Sequence, residues 1–191
     1  MYISKAPLPT RYGTFEARAY RHRHKDFLAL VKGSLEGKSG VLTRVHDACL
    51  TSEAFGSLKC DCAQQLDLAL REVQEAECGI VIHLPQEGRG IGLAAKIAAY
   101  GLQASQGLDT VDANRALGLP DDLRTYGYVP PVLADLGVLS IALMTNNPMK
   151  VQALEALGVQ VDEVVPCKPR LIATEARRYL DAKRRRMRHR C

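Results

Sequence analysis

Apolar and polar residues alternate with a period that changes along the chain, and the changes mark its elements. Residues 11–19 and 27–32 mix aromatic or branched apolar residues with polar ones, which predicts two strands. His22, Arg23, His24 and Lys25 form a polar connection between them, and 41–46 reads as a third strand. Over 62–77 the period lengthens: Leu66, Ala69, Leu70 and Val73 recur at i, i+3, i+4 and i+7 and share one helix face. Gly79 suits a helix stop, 80–84 is a short apolar run of strand type, and 92–102 is Ala-rich and helical. Residues 103–129 hold few apolar pairs and several Gly, Asp and Pro, so loop and short helix are expected there. The last third alternates: helix at 131–136, strand at 138–144, helix at 148–157 ended by Gly158, strand at 161–165, and a final helix over 174–187. This rhythm predicts an α/β fold with α+β character in the N-terminal half, a mixed sheet with flanking helices. One domain over 1–175, then a helix end and basic tail at 176–191, suits a chain of 191 residues.

Composition adds little to that picture, but charge does. With 47% apolar residues, no Trp and three Phe, the core must be built from Leu, Val, Ile and Ala. No apolar run reaches the roughly 18 to 20 residues of a membrane span, and residues 1–10 lack the apolar stretch of a secretory signal. A cytoplasmic protein is therefore the expectation. The net charge is +5, yet six Lys or Arg with no acid lie in 183–191, KRRRMRHRC, so the body of the chain is not basic. Such a tail can bind RNA or an anionic surface, but a solvated terminus is the plainer reading, and nucleic acid is not an expected partner.

Six Cys are present, and Cys60 and Cys62 stand too close in sequence to bridge each other well. Without a secretion signal, thiolate chemistry or metal binding is the better reading. Cys49, Cys60 and Cys62 suit a zinc ion with one open position, the pattern of catalytic sites. Two alternatives stay open on spacing alone: a structural zinc completed by His46, Cys78 or Cys167, or simply buried thiols.

Two further segments suit phosphate. QEGRGIGL (86–93) joins a predicted strand to a predicted helix; its glycines let backbone approach a ligand, and Arg89 offers a planar fork. TNNPMK (145–150) also follows a strand, with Asn147 suited to the N-cap and Pro148 to the first helical position, so Thr145 and Lys150 could meet an anion there. A good cap with no ligand is the competing reading. Asp122 and Arg124, two residues apart, read on spacing alone as a surface pair.

Taken together, RVHDAC (44–49), GSLKCDCAQQL (56–66), QEGRGIGL (86–93), DTVDAN (109–114), DDLRTYG (121–127) and TNNPMK (145–150) resemble the GTP cyclohydrolase II family of riboflavin biosynthesis, in the family's order. The resemblance implies a GTP cyclohydrolase II-like fold and a homodimer. It implies one zinc per chain on Cys49, Cys60 and Cys62, whose water attacks C8 of guanine so that ring opening releases formate. Gln65 and Glu87 would read the base or stabilise the opened ring. Arg44, Arg89, Thr110, Thr145 and Lys150 would hold sugar and phosphates, with Val45, His46, Asp47, Ala48 and Gly88 lining the substrate. Tyr100 matches a family tyrosine near the ring-opening chemistry, Asp122 a proton acceptor, and Arg124 a proposed nucleophile at the α-phosphate. Magnesium would partner the departing pyrophosphate. A guanidinium is almost always protonated, so electrostatic stabilisation is a competing role for Arg124.

The sequence departs from the family pattern at four places. Asp47-Ala48 stands where Ser-Glu is common, Pro85 where Arg is usual, Gly90 where Asn is frequent and Gly also common, and Thr125 where an acid often follows the Arg. These leave the zinc ligands and Arg124 in place but shift a carboxylate by one position. A paralogue making a formylated ring-opened product, and a nucleotide- or RNA-binding module without activity, are the other readings.

Overall fold

The chain's first nine described residues form a strand that no pattern announced. In the computed structural model, which describes residues 2–169 with Ala176, Leu180 and 184–186, β1 (Tyr2–Thr10) is exposed along nearly its whole length. With no buried face it has no apolar alternation to read, and Pro7 and Pro9 fit it because an edge strand tolerates a missing ladder donor. It pairs antiparallel with β2 (Gly13–His22), which pairs in turn with β3 (Lys25–Lys32). Their connection is a two-residue turn: Arg23 and His24 both take positive φ, 46° and 67°, and His22 pairs with Lys25. Two left-handed residues match the twist of a hairpin, although neither is Gly.

The remaining elements are β4 (Val41–Asp47), α1 (Leu50–Glu53), α2 (Cys62–Glu75), β5 (Gly79–Leu84), a 3-10 turn (Glu87–Gly90), α3 (Leu93–Gln106), α4 (Thr110–Ala116), α5 (Val129–Asp135), β6 (Ile141–Met144), α6 (Pro148–Glu155) and β7 (Val161–Val165). The seven strands form one sheet in the order β1-β2-β3-β5-β4-β6-β7. β3 and β5 are antiparallel, while β4, β6 and β7 run parallel, so the sheet is mixed, as the pattern predicts. β5 and β6 are buried almost throughout, which explains their apolar runs, broken only by the half-buried His83 in β5.

The expected elements recur with shifted ends. The strand expected over 138–144 begins at Ile141, because Gly137 takes φ 66° and ends the preceding helix. α3 runs on to Gln106 and stops at left-handed Gly107. Within the region read as loop and short helix, α4 is capped by the Asp109 carboxylate, which accepts from the Val111 and Asp112 amides. The final helix expected over 174–187 and the basic tail lie largely outside the described residues; Ala176, Leu180 and 184–186 are helical.

The chain divides into two compact units. The first holds the described residues up to His46, then Leu66–Pro85 and Tyr126–Cys167; the second holds Asp47–Gln65, Gln86–Thr125 and the described residues after Cys167. In the first unit apolar side chains cover both faces of the sheet. Tyr20, Val45, Ile80, Ile82 and Leu143 pack with Val132 of α5 and Leu154 of α6, whereas Phe15, Val81 and Met144 pack with Ala69, Leu70 and Val73 of α2. The period-2 alternation of the strands thus feeds two apolar layers. No helix among the described residues is long and apolar enough to cross a membrane.

Candidate functional site

In the second unit three thiols converge. Cys49 precedes α1, Cys60 lies in the turn before α2, and Cys62 opens α2. Their Sγ atoms lie within 4.8 Å of one another, with Cys49 and Cys60 3.5 Å apart. Zinc–sulfur bonds of about 2.3 Å at tetrahedral angles place sulfurs roughly 3.8 Å apart, so the cluster fits a zinc ion closely. Hydrogen bonds from the Cys60 and Cys62 thiols, helped by Lys96, hold Cys49 far below the usual thiol range despite burial. Sharing with Cys49 pushes Cys60 up. One thiolate among neighbouring thiols is a donor set ready for a soft or borderline cation. Cys78 and Cys167 belong to the first unit, where the Cys167 amide donates to Asn146.

Lys96 carries no role from the motifs, yet it is buried and faces this cluster. Its ammonium donates to Cys49 Sγ at 3.1 Å and to Glu87 Oε1 at 2.7 Å. Burial alone would lower its pKa, but the two anionic partners outweigh that and keep it a cation. Glu87 also accepts from the Leu50 amide (2.6 Å) and from its own neighbour Gly88 (2.9 Å). The carboxylate expected to read the base is therefore bound to the backbone beside a cysteine of the cluster. One turn beyond Lys96, the Tyr100 phenol is pushed up to about 12 by burial, and the Lys59 ammonium sits 4.9 Å from its ring. The readable signal for Lys96 was its i, i+4 spacing to Tyr100 on an Ala-rich helix. Gln65, the other expected base reader, donates to Asp61 at 2.6 Å.

The second constellation in this unit surrounds Arg124, and it adds a second acid to the pair that spacing suggests. The Arg124 side chain is only 12% exposed. Its Nη1 donates to Asp47 Oδ2 at 3.0 Å and its Nε to Asp122 Oδ1 at 2.9 Å, while Asp122 Oδ1 also accepts the Arg124 amide. Burial would raise the Asp122 carboxyl, but hydrogen bonds and charge from Arg124 hold it below the usual carboxylate range. Asp47 thus has a definite partner in this chain, while Ala48 beside it is half-buried.

The glycine-rich segment positions this loop. Gly88, Arg89 and Gly90 all take positive φ. At Gly90 a Cβ would come within 2.9 Å of the Leu123 carbonyl carbon, so only glycine permits the approach, and the Leu123 amide donates to Arg89 O at 2.9 Å. Gly90 therefore admits the backbone next to Arg124. Arg89 is left-handed at φ 61°, a conformation costing a non-glycine residue about 1 kcal/mol or more, and its buried guanidinium reaches Asp121 O. Thr110 occupies the first turn of α4, half-buried.

The remaining expected residues lie in the first unit. Arg44 is buried, with Nη1 donating to Met144 O at 2.9 Å and Nη2 3.5 Å from His46 Nδ1. His46 stacks on His83, 5.6 Å between ring centroids. Lys150, buried on α6, donates to Val45 O at 2.7 Å and lies 5.1 Å from the Tyr126 ring. Asn147 caps α6 through the Met149 amide, as its position predicts, and the Thr145 hydroxyl accepts from the Asn147 amide. Arg44 thus ties β4 to β6, and Lys150 ties α6 to β4, each through a strand carbonyl.

Residues 2–166 match the family model of GTP cyclohydrolase II. The chain is 50% identical over 195 residues to GTP cyclohydrolase-2 of Streptomyces coelicolor, spanning 98% of this chain and 85% of that protein. It is 44% identical to GTP cyclohydrolase-2 of a Shewanella species, over 86% of this chain and 82% of that one. It is 45% identical to riboflavin biosynthesis protein RibBA of Endomicrobium trichonymphae, over 98% of this chain but 46% of that one. The chain spans about half the length of the RibBA relatives it matches. With three thiols in one cluster, Arg124 held between two acids, and a family match from the first strand to the last, the chain belongs to the GTP cyclohydrolase II family.

Proposed function

We propose that this chain opens the imidazole ring of GTP by hydrolysis, releasing formate and pyrophosphate to leave 2,5-diamino-6-(5-phosphoribosylamino)pyrimidin-4(3H)-one, the first step of riboflavin biosynthesis. The convergence of Cys49, Cys60 and Cys62 beside Tyr100 carries the reading, because a pure binding module needs no such donor set. One zinc ion per chain, held by these thiolates, would supply the Lewis acidity that activates water near neutral pH.

The chain's own residues take the other roles. Tyr100, a phenol kept protonated well above neutral pH by burial, is a hydrogen-bond donor toward the opening ring. Lys96 and Glu87 hold the Cys49–Leu50 backbone and the Cys49 sulfur in place. Arg124 acts as a fixed cation that stabilises charge developing at the α-phosphate, since a guanidinium stays protonated and its nitrogens are engaged as donors to Asp47 and Asp122, which opposes nucleophilic attack by nitrogen. Asp122, kept ionised by Arg124, serves as proton acceptor. For Arg44, Arg89, Thr110, Thr145 and Lys150, contact with sugar and phosphates follows the family motifs, as does magnesium arriving with the triphosphate. A cytoplasmic homodimer is part of the same proposal.

Incubation with GTP, zinc and magnesium, followed by mass analysis, tests this reading. Formate and pyrophosphate released in equal amounts with the diaminopyrimidinone are expected. Retention of the formyl carbon on the product would identify a paralogue that stops after ring opening. Recovery of intact GTP from zinc-loaded protein would leave only a binding role.

A further inference from the structure

Gln86 opens the glycine-rich segment, and the motifs assign it no role. It is 6% exposed, and its carboxamide is engaged on every side. Oε1 accepts the Thr125 amide at 2.8 Å, while Nε2 donates to Thr125 O at 2.8 Å and to Asp47 Oδ1 at 3.1 Å. The side chain thus pairs with Thr125 as one strand residue pairs with another, and it uses its second N–H on the carboxylate that holds Arg124. The orientation is set by chemistry. A flipped amide would turn its oxygen toward the Asp47 carboxylate and the Thr125 carbonyl, and its NH2 toward the Thr125 N–H. Glutamate has the same shape but lacks both donors. Leu123, on the other side of Arg124, is fixed by its own bond to Arg89 O and by its approach to Gly90.

We propose that Gln86 is a positioning residue for Arg124: its carboxamide locks Thr125 and Asp47 together, so that the guanidinium is presented to the phosphates of the nucleotide in one fixed orientation. The inference rests on the role proposed above for Arg124. It gives meaning to two departures from the family pattern, since Asp47 supplies the acceptor and Thr125 supplies backbone at a place where an acid often stands. Displacement of a charged group by about 1 Å can cost on the order of 100-fold in rate, so a lost clamp should act on turnover more than on binding.

A double-mutant cycle tests this. Gln86→Met should lower the turnover number for pyrophosphate release about 10- to 100-fold, with KM for GTP changed by less than about threefold. Zinc content, measured in parallel, should stay near wild type, and the protein should remain folded at the assay temperature despite the lost hydrogen bonds. In an Arg124→Ala background the same substitution should cost less than about twofold, because the group it positions is gone. An equal loss in both backgrounds, or zinc lost in step with activity, overturns the positioning role and leaves Gln86 a staple of the fold. If Arg124→Ala itself keeps full pyrophosphate release, the role of Arg124 at the phosphates is wrong, and the positioning role goes with it. Should Arg124→Ala fall below detection, or Gln86→Met fail to fold, an exchanged pair decides. Gln86→Glu alone should lose roughly tenfold or more, and adding Asp47→Asn should recover about threefold, because the new amide at 47 can donate to the new carboxylate at 86. Absence of any recovery overturns the proposal.

Discussion

Two pairs of cations, one pair in each unit, are held in opposite ways. In the sheet-bearing unit, Arg44 and Lys150 donate to backbone carbonyls, Met144 O and Val45 O, which are part of the strands themselves. In the other unit, Lys96 and Arg124 are held by side chains: a thiol, Glu87, Asp47 and Asp122. The first arrangement is rigid because the sheet is rigid, and it couples each cation to the stability of the fold. The second is a network in which each group depends on another's ionisation and orientation. Substitutions in the first unit should therefore register in stability as well as in activity, and those in the second chiefly in chemistry.

The largest effect expected is at the cluster. Cys60→Ser should reduce bound zinc to about a tenth or less and abolish formate release, while slow pyrophosphate release persists. Metal analysis and separate assays of the two products check this; an unfolded variant that binds no nucleotide would make the zinc structural and remove the contrast between the units. Next comes Arg124→Ala, which should lower pyrophosphate release by on the order of 100-fold with little change in thermal midpoint. In the sheet-bearing unit, Lys150→Met should cost about 1–3 kcal/mol in denaturant unfolding, because the Val45 carbonyl loses a buried donor. Unchanged stability there would break the comparison from the other side.

Smaller effects sharpen it. Asp122 has a folded pKa below its unfolded one, so its pairing contributes stability above the unfolded value near 4 and loses it as pH falls through the lower folded value. Asp122→Asn should therefore be less stable than wild type toward denaturant at pH 7, and the gap should close as pH falls below about 4, with the acid-unfolding midpoint by circular dichroism unchanged or higher; a gap that does not change with pH would deny this pair its contribution. The smallest effect belongs to Arg186, whose exposed ion pairs reach Asp109 and Asp112 on α4. Arg186→Ala should change GTP turnover by less than about twofold, measured at physiological salt, where exposed pairs are weak.

Much of the fold was readable because burial leaves a period in sequence. The α2 face of Leu66, Ala69, Leu70 and Val73, the apolar runs of β5 and β6, and the Asn147 cap of α6 all show themselves locally. So do the cysteines of the cluster and the six motifs, which are strings of residue types and lead to the family by themselves. What the sequence could not decide is what lacks a period. β1 has no buried face, so nothing in its pattern distinguishes it from loop; it exists because β2 offers an edge. The Gly90 approach to Leu123, the Lys96 contact with Cys49 and the Gln86 clamp on Thr125 join residues 33, 47 and 39 positions apart. Contacts of that kind depend on where loops come to rest, and only the packed chain brings the groups within reach of one another.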